Sequence, residues 1–392
     1  MPKSALQHPA KLVVTFALLL MAALTLASCG STNRPVVCAL PANSSSDGTC
    51  TCEANGTTAC PAMLPEYLYA ASSTGEVLAF SILNGSGTLT PINSLTGPLP
   101  SASLAAVNNQ FVYASDPLHA QLYGYSIDQT TGALSPLTGS PFSTAPFSIP
   151  QGLASPAGSS CLYVADSGKV DAFTVSSTGV PSVISGSPFP SGTNLFLTTD
   201  PSGEFVYSSI DDAPGGIFGF TISSNGALTE ISGSPFPVPG QTVSNSQPSG
   251  IVTNGPFVYA ALMGSNQIAA FSVDSSTGFL TPVPGSPFPA GSEPTVLVLA
   301  NNYLYAINSI EGTISGYSVN STTGVLTAVA GSPFAISGAA MASDSLGIYL
   351  YVWGGSGIQA FSIDTASGNL TPVSGSPFAA SQVTALTVAS VP

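Results

Sequence analysis

The sequence predicts an all-β, seven-bladed β-propeller with four antiparallel strands per blade, and three observations predict it. A tetrapeptide of the form small, aromatic, hydroxyl, β-branched occurs seven times, from Ala79-Phe80-Ser81-Ile82 and Gly124-Tyr125-Ser126-Ile127 through to Ala360-Phe361-Ser362-Ile363. A tyrosine precedes each copy, at Tyr69, Tyr113, Tyr163, Tyr207, Tyr259, Tyr305 and Tyr351, spaced 44 to 52 residues apart. Gly-Ser-Pro-Phe follows six copies, starting at Gly139, Gly186, Gly233, Gly285, Gly331 and Gly375, and Gly97-Pro98-Leu99 takes its place in the first repeat. A unit of about 47 residues holding four short strand-like runs has the size of one propeller blade.

Within a repeat each element has its own reason. In the fifth, strand-like runs fall at 250–253, 257–261, 267–273 and 280–283. The turn between the last two carries Ser-Thr-Gly, with Gly278 free to take a positive φ. The third run is apolar on both sides of its pleat, as expected for a sheet packed between two neighbours. The small residue before each aromatic is expected to leave room for the next blade. No run has the period of an amphipathic helix. The first repeat begins at Tyr67 on its second strand, and the chain ends in 382–390, QVTALTVAS, with no blade after it. The C-terminal strand is therefore expected to complete the first blade and close the ring, leaving no open edge.

Three segments are expected: a lipoprotein signal peptide at 1–28, a Cys-rich tether at 29–64 and the propeller at 65–392. Lys3 and Lys11 precede an uncharged apolar stretch at 12–27, which is short for a membrane span. Leu26-Ala27-Ser28-Cys29 resembles the bacterial lipobox, which implies a lipid on Cys29 and attachment to a membrane in the cell envelope. A plain secretory signal cleaved near Ser28 is the alternative. Gly30 after the cysteine, rather than Asp, favours the outer membrane or surface. Cys38, Cys50, Cys52 and Cys60 crowd the tether, and in an oxidising compartment they are expected to form two disulfides. Cys50 and Cys52 are too close to pair comfortably, so each would bond Cys38 or Cys60. A four-thiolate metal knot is the rival, without the two CxxC pairs it would need.

Charge excludes several functions. Only 6% of the 392 residues are charged, with 4 Lys+Arg against 18 Asp+Glu and a net charge of −14. Such a chain cannot neutralise a row of phosphates, so nucleic acid is not a partner. No metal site and no cofactor are expected.

Unusual side chains gather in the loops between second and third strands, on the face where propeller ligands commonly bind. These are Asp116 and His119, Asp166 and Lys169, Asp211 and Asp212, Asn308 and Glu311, and Trp353. His119 and Lys169 occupy equivalent loops of neighbouring blades. A neutral imidazole there could activate water and an ammonium could stabilise an oxyanion. The plainer readings are a solvated histidine, a lysine paired with Asp166 or Asp171, and a packing tryptophan. Cys161 stands where other repeats have Tyr67, Phe111, Phe205, Phe257, Tyr303 and Tyr349, so a buried apolar role is expected.

The Tyr-Leu/Val-Tyr strand, the Ala-Phe-Ser-Val strand, the Thr-Gly-x-Leu turn and the Gly-Ser-Pro-Phe that follows resemble the seven-bladed lactonase family. That family includes 6-phosphogluconolactonases and muconate-lactonising cycloisomerases, and the pattern is also similar to Tyr-Val-Thr-Asn surface-layer repeats. The resemblance spans 65–390 and implies the propeller fold and lactone chemistry. A phosphorylated lactone needs cations, and the expected propeller has one lysine, one histidine and no arginine. The leading expectation is therefore a lipid-anchored, non-catalytic binding platform for a glycan, a small neutral ligand or a surface protein, lactonase-like in fold but poor in catalytic side chains. The alternative is a divergent hydrolase of an uncharged lactone with His119 as base.

Overall fold

The structure, a computed structural model, describes residues 64–97, 103–144, 149–192, 194–210, 215–240 and 247–391. The expected signal peptide, the tether up to residue 63 with Cys29, Cys38, Cys50, Cys52 and Cys60, and the pair Asp211 and Asp212 lie outside the described residues.

Seven antiparallel sheets follow one another along the chain. Blade 2 is built from Leu104–Val107, Phe111–Asp116, Gln121–Ile127 and Leu134–Pro136, innermost strand first. Blade 3 holds Leu153–Ala154, Cys161–Asp166, Lys169–Val175 and Pro181–Val183. Blade 6 holds Pro294–Ala300, Tyr303–Asn308, Thr313–Val319 and Leu326–Ala328, and blade 7 holds Ala340–Ser343, Tyr349–Trp353, Ile358–Ile363 and Leu370–Pro372. In the fifth blade the strands are Pro248–Thr253, Phe257–Leu262, Gln267–Val273 and Leu280–Pro282, close to the sequence reading. A single 3-10 turn, Met263–Ser265, is the one helical element among the described residues.

Closure follows the expected route. Val383–Ser390 pairs antiparallel with Glu66–Ser72, from Glu66 opposite Ser390 to Ser72 opposite Val383. Blade 1 therefore takes its innermost strand from the C-terminus and its other three, Glu66–Ser72, Glu76–Leu83 and Thr88–Thr96, from the start of the domain.

The repeat markers have distinct structural roles. Seven hydrophobic clusters form among the described residues, each combining two adjacent blades. The second strand of each blade is the most buried: all six residues of Phe111–Asp116, Cys161–Asp166 and Tyr303–Asn308 are shielded from solvent. Cys161 is fully buried. The seven marker tyrosines are fully buried as well, and each hydroxyl donates to a glycine carbonyl in the outer hairpin of the next blade. Tyr69 reaches Gly132, Tyr163 reaches Gly226, Tyr305 reaches Gly368, and Tyr351 crosses the seam to Gly87 at 3.1 Å. These bonds satisfy buried hydroxyls while locking each blade to its neighbour. The hairpin glycine is required twice over. Gly278 has φ of 72°, and a Cβ there would lie 2.5 Å from the Phe205 ring of the preceding blade.

Gly-Ser-Pro-Phe repairs the sheet edge where the short outer strand ends. The serine hydroxyl accepts from a third-strand amide, as from Gly124 to Ser140 and from Ala270 to Ser286, both at 2.9 Å. The phenylalanine then rejoins the third strand, with Phe142 opposite Leu122 and Phe288 opposite Ile268. This corrects one expectation. The small residue before each aromatic makes room inside its own blade, not for the next one: a Cβ on Gly124 would meet Leu137, Phe142 and Tyr113, all of blade 2.

Candidate functional site

Each second strand ends on the face where the chain enters the innermost strands, so its last residue and the following loop line that face. Blade 2 brings Asp116 and His119 together there. Asp116 is fully buried, and its Oδ1 accepts from the amides of Leu118 and His119, both at 3.1 Å. That folds the short loop back on the strand end. Its Oδ2 lies 2.9 Å from Nδ1 of His119, whose side chain is 63% exposed. A carboxylate is an acceptor only, so Nδ1 carries a proton, and in the neutral form of the ring the lone pair lies on Nε2. Leu118, beside the histidine, is exposed.

Blade 3 uses the equivalent carboxylate differently. Asp166 is fully buried, and its Oδ1 accepts from Ile149 at 2.6 Å and Ser167 at 2.7 Å, tying down the chain as it enters the blade. Its Oδ2 lies 3.0 Å from Nζ of Lys169, and Asp171 lies 3.9 Å from the same ammonium. Among the described residues Lys169 is the one Lys or Arg, and two carboxylates hold it. It is placed as a structural cation and not as a free partner for an anion.

In blade 6, Asn308 is fully buried and donates to Thr313 Oγ1 at 3.0 Å and Ser315 Oγ at 2.9 Å. Glu311 accepts from Ser292 at 2.9 Å. Asn308 and Glu311 converge on Gly291, where a Cβ would lie 2.5 Å from one and 2.6 Å from the other. Trp353 of blade 7 packs half-buried against the cluster between blades 7 and 1. No group of three or more His, Cys, Asp or Glu side chains converges among the described residues.

A further polar cluster lies on the opposite face, at the seam. Glu66 and Asp344 are both buried. Glu66 Oε1 accepts from the Ser345 amide at 3.2 Å, from the Ser345 hydroxyl, and from Ser390 at 3.0 Å, so one carboxylate spans blades 7 and 1. Asp344 accepts from the amides of Ile348 at 2.8 Å and Tyr349 at 2.7 Å, shaping the turn into its second strand. Burial, reinforced by the nearby Glu66 charge, raises the Asp344 carboxyl to about 6 despite its backbone bonds. Asp200 makes the same turn between Asn194–Thr199 and Phe205–Ile210, accepting from Glu204 and Phe205. A signal was available in the paired Asp-x-x-Gly-x-aromatic motifs at Asp200 and Asp344. Glu66 comes from the other end of the chain and no local pattern could pair it.

Comparison with known proteins places this geometry. Residues 217–343 match the family model described as Lactonase, 7-bladed beta-propeller. That stretch contains Asn308 and Glu311, but not His119 or Lys169. No curated protein sequence matches the chain significantly. Among solved structures, a protein of Bacteroides uniformis named as a candidate 6-phosphogluconolactonase is 20% identical with a TM-score of 0.68, covering 83% of this chain and 99% of its own. A similarly named protein of Bacteroides fragilis is 19% identical with a TM-score of 0.68, covering 85% and 99%. The periplasmic gluconolactonase of Pseudomonas aeruginosa is 17% identical with a TM-score of 0.65, covering 84% and 100%. At these identities the structural likeness speaks for the fold. Residues 217–343 thus carry the pattern of the lactonase propeller family, and the described domain has the fold of a seven-bladed propeller.

Proposed function

We propose that the protein is a lactone hydrolase of the cell envelope that acts on uncharged lactones, with His119 as general base and Asp116 as the residue that positions it. The observation that carries this reading is the pair itself: a buried carboxylate on Nδ1 and an exposed ring with Nε2 open. Nε2 takes a proton from water as the water oxygen bonds to the lactone carbonyl carbon. The resulting oxyanion collapses, the ring C–O bond breaks, and the imidazolium returns its proton to the leaving alkoxide. The product is the open hydroxy acid. Asp116 fixes the tautomer and steadies the transient imidazolium. The substrate class follows from charge: with a net charge of −14 and Lys169 held by two carboxylates, an anionic lactone is repelled. A lipid on Cys29 would hold the enzyme at the membrane.

The binding platform is the second reading, and one observation favours it. The cation that could have stabilised an oxyanion is occupied by Asp166 and Asp171. Such a platform would take a glycan, a small neutral ligand or a surface protein. Hydrolysis of glucono-1,5-lactone and of its 6-phosphate by the purified protein separates the readings. The hydrolase reading expects enzymatic turnover of the neutral lactone, with the phosphorylated one the poorer substrate. Equal or better turnover of the phosphate contradicts the assigned substrate class, and no turnover of either leaves the platform.

A further inference from the structure

The face opposite His119 carries a cavity of about 420 Å³. Its walls come from the innermost strands or inner turns of five blades: Leu299 of blade 6, Ser345 of blade 7, Val388 and Ser390 of blade 1, Asn109 of blade 2 and Ala157 of blade 3. Only the propeller axis is shared by all five, so the cavity is the mouth of the central channel. Its volume lies in the range of small-molecule sites.

We propose that this mouth is a second ligand site, for a small uncharged polyhydroxylated molecule of monosaccharide size. The chemistry of the wall selects that class. Asn109 and Asn301 both line the cavity, and both hold left-handed backbone, each with φ of 53°. Among the described residues their side-chain amides have no hydrogen-bond partner, so each offers a donor and an acceptor. Ser345 and Ser390 give their hydroxyl protons to Glu66 and keep lone pairs to accept from a ligand hydroxyl. Leu299 and Val388 supply apolar surface for the C–H face of a sugar ring. The mouth has no cationic side chain in its lining, and buried Asp344 forms part of it, so phosphates and carboxylates are excluded. Asp344 Oδ1 already accepts from the amides of Ile348 and Tyr349. This inference does not depend on the hydrolase reading, because it concerns the other face and different residues.

Saturation-transfer NMR on the intact protein with D-glucose, D-galactose, D-mannose and myo-inositol tests the proposal, with glucose 6-phosphate as the anionic probe. The variant carries Asn109→Gly and Asn301→Gly, which remove both amides while keeping residues that tolerate positive φ. The proposal expects saturable binding of at least one neutral probe, weaker binding of glucose 6-phosphate, and at least about tenfold loss of affinity in a variant with an unchanged melting curve. Three results would each overturn it: no saturable binding of any neutral probe, affinity untouched by the double substitution, or equal binding of the phosphate.

Discussion

Replacing Asp344 by asparagine isolates the electrostatics of the seam. Asp344 is 5% exposed, and its carboxyl is raised from 3.8 to about 6, first by burial and then by Glu66. In the unfolded chain the same group titrates near its ordinary value. Between roughly pH 4 and 6 the native state therefore binds more protons than the unfolded state, and stability falls as pH rises through that window. The contribution is fully present below the unfolded value and lost above about pH 6. Two pKa units correspond to about 3 kcal/mol. Asparagine keeps an acceptor for Ile348 and Tyr349 but cannot accept the bond from Leu346, at a cost of about 1 kcal/mol. The variant should therefore be about 1 kcal/mol less stable than the native protein at pH 4 and about 2 kcal/mol more stable at pH 8. Urea unfolding at both pH values measures the difference through the midpoints. Parallel shifts of the two proteins with pH would refute the reasoning.

Two further predictions concern the ring, and one the candidate dyad. Tyr259→Phe removes the hydroxyl that donates to Gly324 at 3.0 Å and leaves a buried carbonyl unpaired. Thermal melting should show a loss of about 1–3 kcal/mol, against about 3–5 kcal/mol for Tyr259→Ala. Deleting 380–392 removes the strand that pairs with Glu66–Ser72 and should lower the melting temperature far more than the tyrosine substitution does. An unchanged melt would contradict closure by the C-terminal strand. Asp116→Asn should lower kcat with little change in KM and alter the pH–rate profile, because the amide no longer fixes the histidine tautomer.

The period of the sequence made the fold readable. The tyrosines, the Ser-Thr-Gly turns and the unpaired C-terminal strand located blades and seam, because a propeller repeats its local chemistry once per blade. Contacts between repeats were not readable in the same way. The bond from Tyr69 to Gly132 joins a marker tyrosine to the outer hairpin of the next repeat, and it fixes two blades at once. The serine of Gly-Ser-Pro-Phe stood in the sequence as a repeat marker only, and its role as a hydrogen-bond acceptor for third-strand amides depends on the folded sheet edge. At the candidate site, Asp116 and His119 lie three residues apart, so one loop could bring them together. The same is true of Asp166 and Lys169, where the structure selects the ion pair over a free ammonium. The channel mouth on the other face was not legible. Glu66 meets Ser345 and Ser390 only because the ring closes there, and Asn109 and Asn301 come from blades 2 and 6.

The central claim is tested most directly by following glucono-1,5-lactone hydrolysis by pH-stat with the native protein and with His119→Gln. The substitution keeps a polar side chain at an exposed position, so the fold should be unaffected. The account predicts turnover above the spontaneous rate in the native protein and a loss of about a hundredfold or more in the variant. Equal rates in the two proteins would contradict it and remove His119 from the chemistry.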